Sequence, residues 1–359
     1  MAIAVKILFG LAFVVGLVPV AVYLERRVSA FIQGRLGPNR VDFPLVGRLG
    51  GILPGGLAQP LADVVKLLFK EDILPARADR VLYVLGPLLV FIPPAVGFAV
   101  IPFGNRIGTH GLQVADLGVG VLFTMSLLSV GVHGLALGGW ASNNKYSLMG
   151  GLRASAQLIS YEVTLGLCIV TALLFGESVD PRVIVARQTD GLWSWNVFGG
   201  GDFLRAPSGM LACLLFFIAA LAENKRLPFD LPECDAELVS GFHTEYSSMK
   251  FALFFMGEYV GMVVMSALLV TFFLGGWYLP GITDPASTGA FQGVLSVAVF
   301  TAKVLAVLLV YIWIRWTLPR FRYDQLMELG WKRLIPVALA NLMAVAAIGV
   351  LHGPPGGVR

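Results

Sequence analysis

The stretch FALFFMGEYVGMVVMSALLVTFFL, residues 251–274, decides the fold class. It is longer than the roughly 20 mostly apolar residues needed to cross a bilayer as a helix, and its one ionisable group is Glu258. Reading outward with the same window predicts seven further spans, at 3–24, 81–101, 114–137, 156–175, 207–222, 292–314 and 334–351. Composition agrees. The 359 residues are 57% hydrophobic and only 13% charged, with a mean hydropathy of +0.80. Soluble domains carry about 25% charged residues, so this chain cannot clothe a water-facing surface. A cytosolic enzyme, a disordered chain and a nucleic-acid binder are excluded on that ground. The expectation is an all-α polytopic membrane protein, one transmembrane domain over 1–359 with no visible internal repeat. The first span lacks a small-residue cleavage site and reads as retained rather than as a signal peptide.

Lys and Arg set the orientation. Nine lie in the loop after the first span, and two, three and five in the loops after the third, fifth and seventh. Six lie on the other side. The loops at 25–80, 138–155, 223–250 and 315–333 are therefore expected in the cytoplasm, with both termini on the outer side of the membrane. The formal net charge of +4 reflects this asymmetry and not a polyanionic partner. Within the first of these loops, about 56–70, Leu57, Leu61, Val64, Val65 and Leu68 recur at helical spacing opposite Asp63, Lys66 and Lys70. That pattern predicts an interfacial amphipathic helix. It either lies on the bilayer or forms one wall of a lipid-accessible cavity.

The loop at about 223–250 is acidic. Glu223, Asp230, Glu233, Asp235, Glu237, Glu245 and the nearby Glu258 are seven of the 22 acidic residues. Asp230, Glu233 and Glu237 are spaced to share one face if the segment is helical, although Pro228 and Pro232 argue for a broken start. Phe229, Leu231, Leu238, Val239 and Phe242 alternate with the acids, so the loop is expected to pack onto the protein. Carboxylates crowded in a partly dry place cannot all ionise and become proton carriers near neutral pH. Glu162 and Glu258 lie inside spans, Glu25 and Glu223 at span ends, and Lys303 near the middle of the seventh span. Intramembrane charges default to a functional reading, against which stands a set of structural ion pairs. Cys168, Cys213 and Cys234 form no CxxC, and the four histidines are scattered, so no metal site is expected. Any redox metal belongs to another chain.

Five blocks carry a resemblance: RLGPNR at 35–40, PLADVVKLLFKE at 60–71, GWASNNKYSLMGGLRASAQLISYE at 139–162, AENKRLPFDLPECDAELVSGFHTEYSSMKFALFFMGEY at 222–259 and IRWTLPRFRYDQLMELGWK at 314–332. In order and content they closely resemble the H subunits of NADH-quinone oxidoreductase, the heel subunit of respiratory complex I. The resemblance implies a translocase subunit without a redox centre of its own. A quinone, ubiquinone or menaquinone, would enter from the bilayer between the first span, the amphipathic helix and the sixth span. NADH, FMN and iron–sulfur clusters would sit in partner subunits, soluble ones roofing a quinone chamber and small membrane ones alongside. Carried over by position, Glu162, Glu223, Glu233, Glu237, Glu245 and Glu258 match the acids of the proton and coupling path, with Asp235 and Lys303 added as candidates. Arg35, Asp63, Lys66, Arg226, Phe229 and Asp230 match quinone-side positions. Cys234 and Asp235 stand where the family has Ala or Gly followed by Glu, and His133 where it has Tyr. Membrane subunits of energy-converting hydrogenases and formate hydrogenlyase share the fold, but the complete RLGPNR and acidic-loop blocks favour the quinone branch. A secondary transporter would show inverted repeats and broken midplane helices, whereas here the charges gather on one side.

Overall fold

The computed structural model describes residues 2–39, 41, 55–108, 110–233 and 235–352. In chain order the helices are α1 (Ala2–Ile32), α2 (Gln59–Phe69), α3 (Arg80–Gly97), α4 (Gly120–Ala141), α5 (Lys145–Gly176), α6 (Pro181–Ala186), α7 (Ala206–Glu223), α8 (Asp235–Leu238), α9 (Ser248–Phe273), α10 (Ala290–Thr317), α11 (Tyr323–Glu328) and α12 (Ile335–His352). A two-residue antiparallel pair, β1 (Arg106–Ile107) and β2 (His110–Gly111), sits at the end away from the acidic loop. Eight helical segments among the described residues are long and apolar enough to cross a membrane, the eighth running through α11 and a π turn into α12. The fold is an all-α polytopic membrane protein, as its composition requires.

Span edges differ from the sequence expectation where charge interrupts hydropathy without interrupting the backbone. α1 runs eight residues past 24, so Glu25 lies within the helix rather than at its end. α5 begins at Lys145, not 156, because Asn144 caps it by accepting from the Tyr146 N–H at 2.9 Å. Glu162 is thereby mid-helix. Residues 114–119 are not helical, and α4 starts at Gly120.

α9 is the hub: most of its length is buried, against α1, α3, α7 and α10. Beside it α3 and α4 approach so closely that a Cβ on Gly86 would lie 2.9 Å from the Gly138 Cα, the contact that small residues permit in bilayers. The amphipathic helix exists as α2. Its Leu61, Val64, Val65 and Leu68 point away from the protein and are exposed. An outward apolar face is what a lipid-facing helix presents. Arg26 of α1 pairs with Asp63 at 2.7 Å, and Ser248 Oγ of α9 donates to the Leu67 carbonyl, tying α2 to both neighbours.

Candidate functional site

The acidic loop folds back onto the bundle rather than forming one helix. Only Asp235–Leu238 is α-helical there, so Asp230, Glu233 and Glu237 do not share a helix face; the preceding chain, with Pro228 and Pro232, runs through turns. Gln157 of α5 anchors the turn by donating to the Ala222 and Phe229 carbonyls at 2.8 and 3.0 Å. Phe229 is buried between Tyr161 and Phe321, both at 5.6 Å centroid distance. Gly241 takes a left-handed φ of +61°, and a Cβ there would lie 1.7 Å from the Pro232 carbonyl oxygen, so only glycine closes the loop.

This folding drives Arg226 into the bundle, where two helices supply its partners. Its Nε lies 2.7 Å from Glu258 Oε1 of α9, and its Nη1 lies 3.3 Å from Glu25 Oε1 of α1. Arg315 of α10 also pairs with Glu25. The Tyr259 hydroxyl donates to Glu25 Oε2 at 2.6 Å, and its ring lies under the Arg226 guanidinium at 4.5 Å. The side chains of Glu25, Glu258 and Arg226 are each less than a tenth exposed. Two carboxylates and two guanidiniums thus offset each other where water is scarce. Burial alone would pull Arg226 down, but Glu258, Tyr259 and Glu25 hold its pKa well above the ordinary value, so it stays charged.

From Glu258 the cluster continues into a cavity of about 60 Å³. Glu223, Lys225, Gly257, Glu258 and Gly261 line it, and Glu223 Oε2 is buried there without a protein partner. A water needs about 10–15 Å³ of such space and several polar neighbours, so this volume suits a short water chain and not a quinone ring. Glu162 is close enough to Glu223 for their charges to interact, as Glu233 is to Glu258. Ser129 of α4 donates to Glu162. His133, one turn on, is exposed on the outer side of α4.

Other sequence candidates lie outside this line. Asp230 pairs with Arg320 at 3.2 Å at its edge. Glu237 is half-exposed and pairs with Arg153 at 2.5 Å. Glu245 accepts from Asn144 Nδ2 at 2.6 Å, while its carbonyl accepts from the Tyr83 hydroxyl at 2.7 Å. Arg35 and Lys66 are exposed on the α1–α2 flank. Asp235 opens α8, but its side chain, like all of Cys234 and Arg40, lies outside the described residues. Lys303 is at the far end. Its Nζ donates to the carbonyls of Leu274, Gly276 and Tyr278 at 2.6, 3.0 and 2.6 Å and lies 4.3 Å from the Trp195 ring. Glu258 and Leu274 are separated by about 24 Å of helix rise, so Lys303 does not join the acids, nor is a carboxylate its partner among the described residues.

Sequence reasoning places Glu25 at a span end and counts Arg315 among loop charges; both belong to the centre of the cluster. A signal for Glu25 is present in α1, where Val14, Val18 and Ala21 form a buried stripe that Glu25 continues at helical spacing. Tyr259, Ser129, Asn144 and Arg320 give no such signal, because each is defined by a partner distant in sequence.

Asp230 offers a pH test. Burial first, then Glu258, pushes its carboxyl up to about 6 despite Arg320. A carboxyl raised on folding binds a proton as the chain folds, so its ionisation weakens the fold progressively as pH rises from about 4 to about 6, fully above that window and not at all below it. Asp230→Asn should raise the thermal resistance of the subunit in its membrane assembly most at pH 8 and clearly less at pH 5. An equal change at both values would contradict the assignment.

Eight spans enclosing a buried carboxylate–arginine cluster define a helical membrane protein that keeps ionisable groups inside its bundle. A family model described as NADH dehydrogenase matches residues 5–346. One of two NADH-quinone oxidoreductase H subunits of Geobacter metallireducens, the one numbered 1, is 48% identical over 92% of this chain and 91% of its own length. The corresponding H subunit of Rickettsia typhi is 46% identical over 91% of this chain and 87% of its own. The eighth numbered subunit of the Rhodothermus marinus NADH-quinone oxidoreductase is 45% identical over 91% of each. The chain belongs to the family of NADH-quinone oxidoreductase H subunits.

Proposed function

We propose that this chain is the membrane subunit through which a proton-translocating NADH-quinone oxidoreductase admits quinone and couples its reduction to proton transfer. The observation that carries this reading is the unbroken line from Glu25 and Arg226 through Glu258 to the water-sized cavity and Glu223, with Glu162 beyond. Reducing a quinone to quinol takes two electrons and two protons. Iron–sulfur clusters of soluble partner subunits, themselves fed by NADH through FMN, supply the electrons. This chain's acids supply a proton route. Quinone, ubiquinone or menaquinone, reaches the chamber along the α1–α2–α9 flank past Arg35, Asp63 and Lys66. Arg226 and Asp230 set the chamber's charge, and the buried Phe229 holds their loop in place. Asp235, Glu237 and Glu245 lie on the loop side that soluble partners roof, and small membrane subunits pack beside α4 and α5 at Glu162. Lys303 ties the far end of α9 rather than carrying protons.

Purifying the complex through a tag on this chain tests the function. Flavin and iron–sulfur subunits should co-purify, and NADH-driven quinone reduction should acidify inside-out vesicles. A preparation that evolves hydrogen and reduces no quinone would favour the hydrogenase branch instead.

The basic loops support the orientation with both termini outside. Thr283 is buried, so the exposed Ile282 in the same loop is the better probe. Ile282→Cys should react with an impermeant thiol reagent on intact cells. Labelling confined to inside-out vesicles would reverse the topology.

A further inference from the structure

At the end of the bundle away from the acidic loop, two cavities share a wall. One, of about 660 Å³, is polar and lined by Lys6 of α1, Arg106 of β1 and His110 of β2. The second, of about 350 Å³, is lined by Phe9, Phe103, Val294, Val297 and other apolar residues, with Lys6 its one charged group. Lys6 and Leu112 line both. The apolar cavity opens between the first turns of α1 and α10, where the exposed Val5 and Val294 face outward from the bundle. The acid on the polar side, Asp116, pairs with Arg182, which Asp180 also holds at 3.0 Å. Among the described residues neither Lys6 nor Arg106 forms an ion pair, so the pocket carries uncompensated positive charge.

We propose that this pair of cavities binds one anionic phospholipid of the leaflet opposite the acidic loop. Lys6 and Arg106 hold its phosphate, with His110 at the mouth, and an acyl chain fills the groove between α1 and α10. Charge complementarity selects the headgroup, since a basic pocket beside spanning helices attracts anionic lipid. The continuous apolar groove selects a lipid over a free anion, because phosphate alone leaves that surface unfilled. Gly293 shapes the groove: a Cβ there would lie 2.3 Å from Ile107 Cγ1, so glycine lets β1 seat against α10.

The test uses the assembled complex, purified through this chain, in nanodiscs of phosphatidylcholine with a tenth phosphatidylglycerol. After exchange into phosphatidylcholine micelles, mass spectrometry counts the phosphatidylglycerol retained per complex. Each basic residue near an anionic lipid surface is worth about fivefold in binding, so Lys6→Gln with Arg106→Gln should weaken retention about thirtyfold and leave one lipid fewer than wild type. Val294→Trp, which fills the groove and alters no charge, should lose the same lipid, whereas Lys6→Arg should keep it. The proposal is overturned if the double variant retains as much as wild type. It is also overturned if phosphatidylcholine is held equally well, or if Val294→Trp keeps its lipid while inorganic phosphate displaces it. Should the double variant fail to assemble, Val294→Trp against Lys6→Arg decides alone.

Discussion

Replacing Arg226 by methionine should cost about 3–5 kcal/mol, the penalty for leaving a buried charge without its partner. Arg315 would still face Glu25, but Glu258 would lose its cation in a place where its side chain is less than a tenth exposed. Such a loss approaches the whole stability margin of many domains, so the subunit should accumulate poorly and the complex should fail to assemble or come apart at lower temperature on native gels. Because the damage is electrostatic and not steric, adding Glu258→Gln should restore assembly in part. Wild-type assembly of the single variant, or no rescue by the second change, would contradict the ion-pair account.

Glu223→Gln and Glu258→Gln should each assemble and yet lower NADH-driven quinone reduction and proton pumping together by at least about tenfold. Glutamine keeps the shape and hydrogen-bonding capacity of each side chain but cannot release and recover a proton near neutral pH. Loss of a well-positioned acid–base group typically slows its step about 10²–10⁴-fold, and rerouting through cavity water softens that figure. NADH oxidation by an artificial acceptor, which needs only the soluble arm, should persist. Glu237→Gln is the matched control. Glu237 is half-exposed and bonded to Arg153, and exposed pairs of that kind are worth about 1 kcal/mol or less, so coupled turnover should stay within about twofold of wild type. Equal losses at all three positions would shift the path onto the outer side of the loop.

Much of the fold is legible in the sequence because bilayer thickness imposes a length that hydropathy registers directly: eight spans are expected and eight are present among the described residues. Their edges are less legible. Hydropathy falls at Glu25 and at Lys145, whereas α1 continues because Glu25 finds Arg226 and Arg315, and α5 starts early because Asn144 caps it; these residues lie elsewhere in the chain or outside the apolar window. The amphipathic helix can be read from its period, because one element contains the whole signal. The candidate site divides along the same line. Glu223 and Glu258 line one cavity, with Glu162 near the first and Glu25 across Arg226 from the second. The expected shared face of Asp230, Glu233 and Glu237 requires a helix that Pro228 and Pro232 prevent. Lys303 illustrates the other failure: an intramembrane cation invites a carboxylate partner, but the carbonyls of Leu274, Gly276 and Tyr278, just past the end of α9, accept from all three of its donors.

Infrared difference spectra of the assembled complex, recorded as its quinone is reduced, test the proton line most directly. If protons pass along Glu223, the cavity and Glu258, reduction should change a protonated-carboxyl band that weakens in Glu223→Gln and in Glu258→Gln and survives in Glu237→Gln. Spectra of the first two variants identical to wild type, with pumping intact, would contradict a proton route through this cluster and leave it a purely structural ion-pair network.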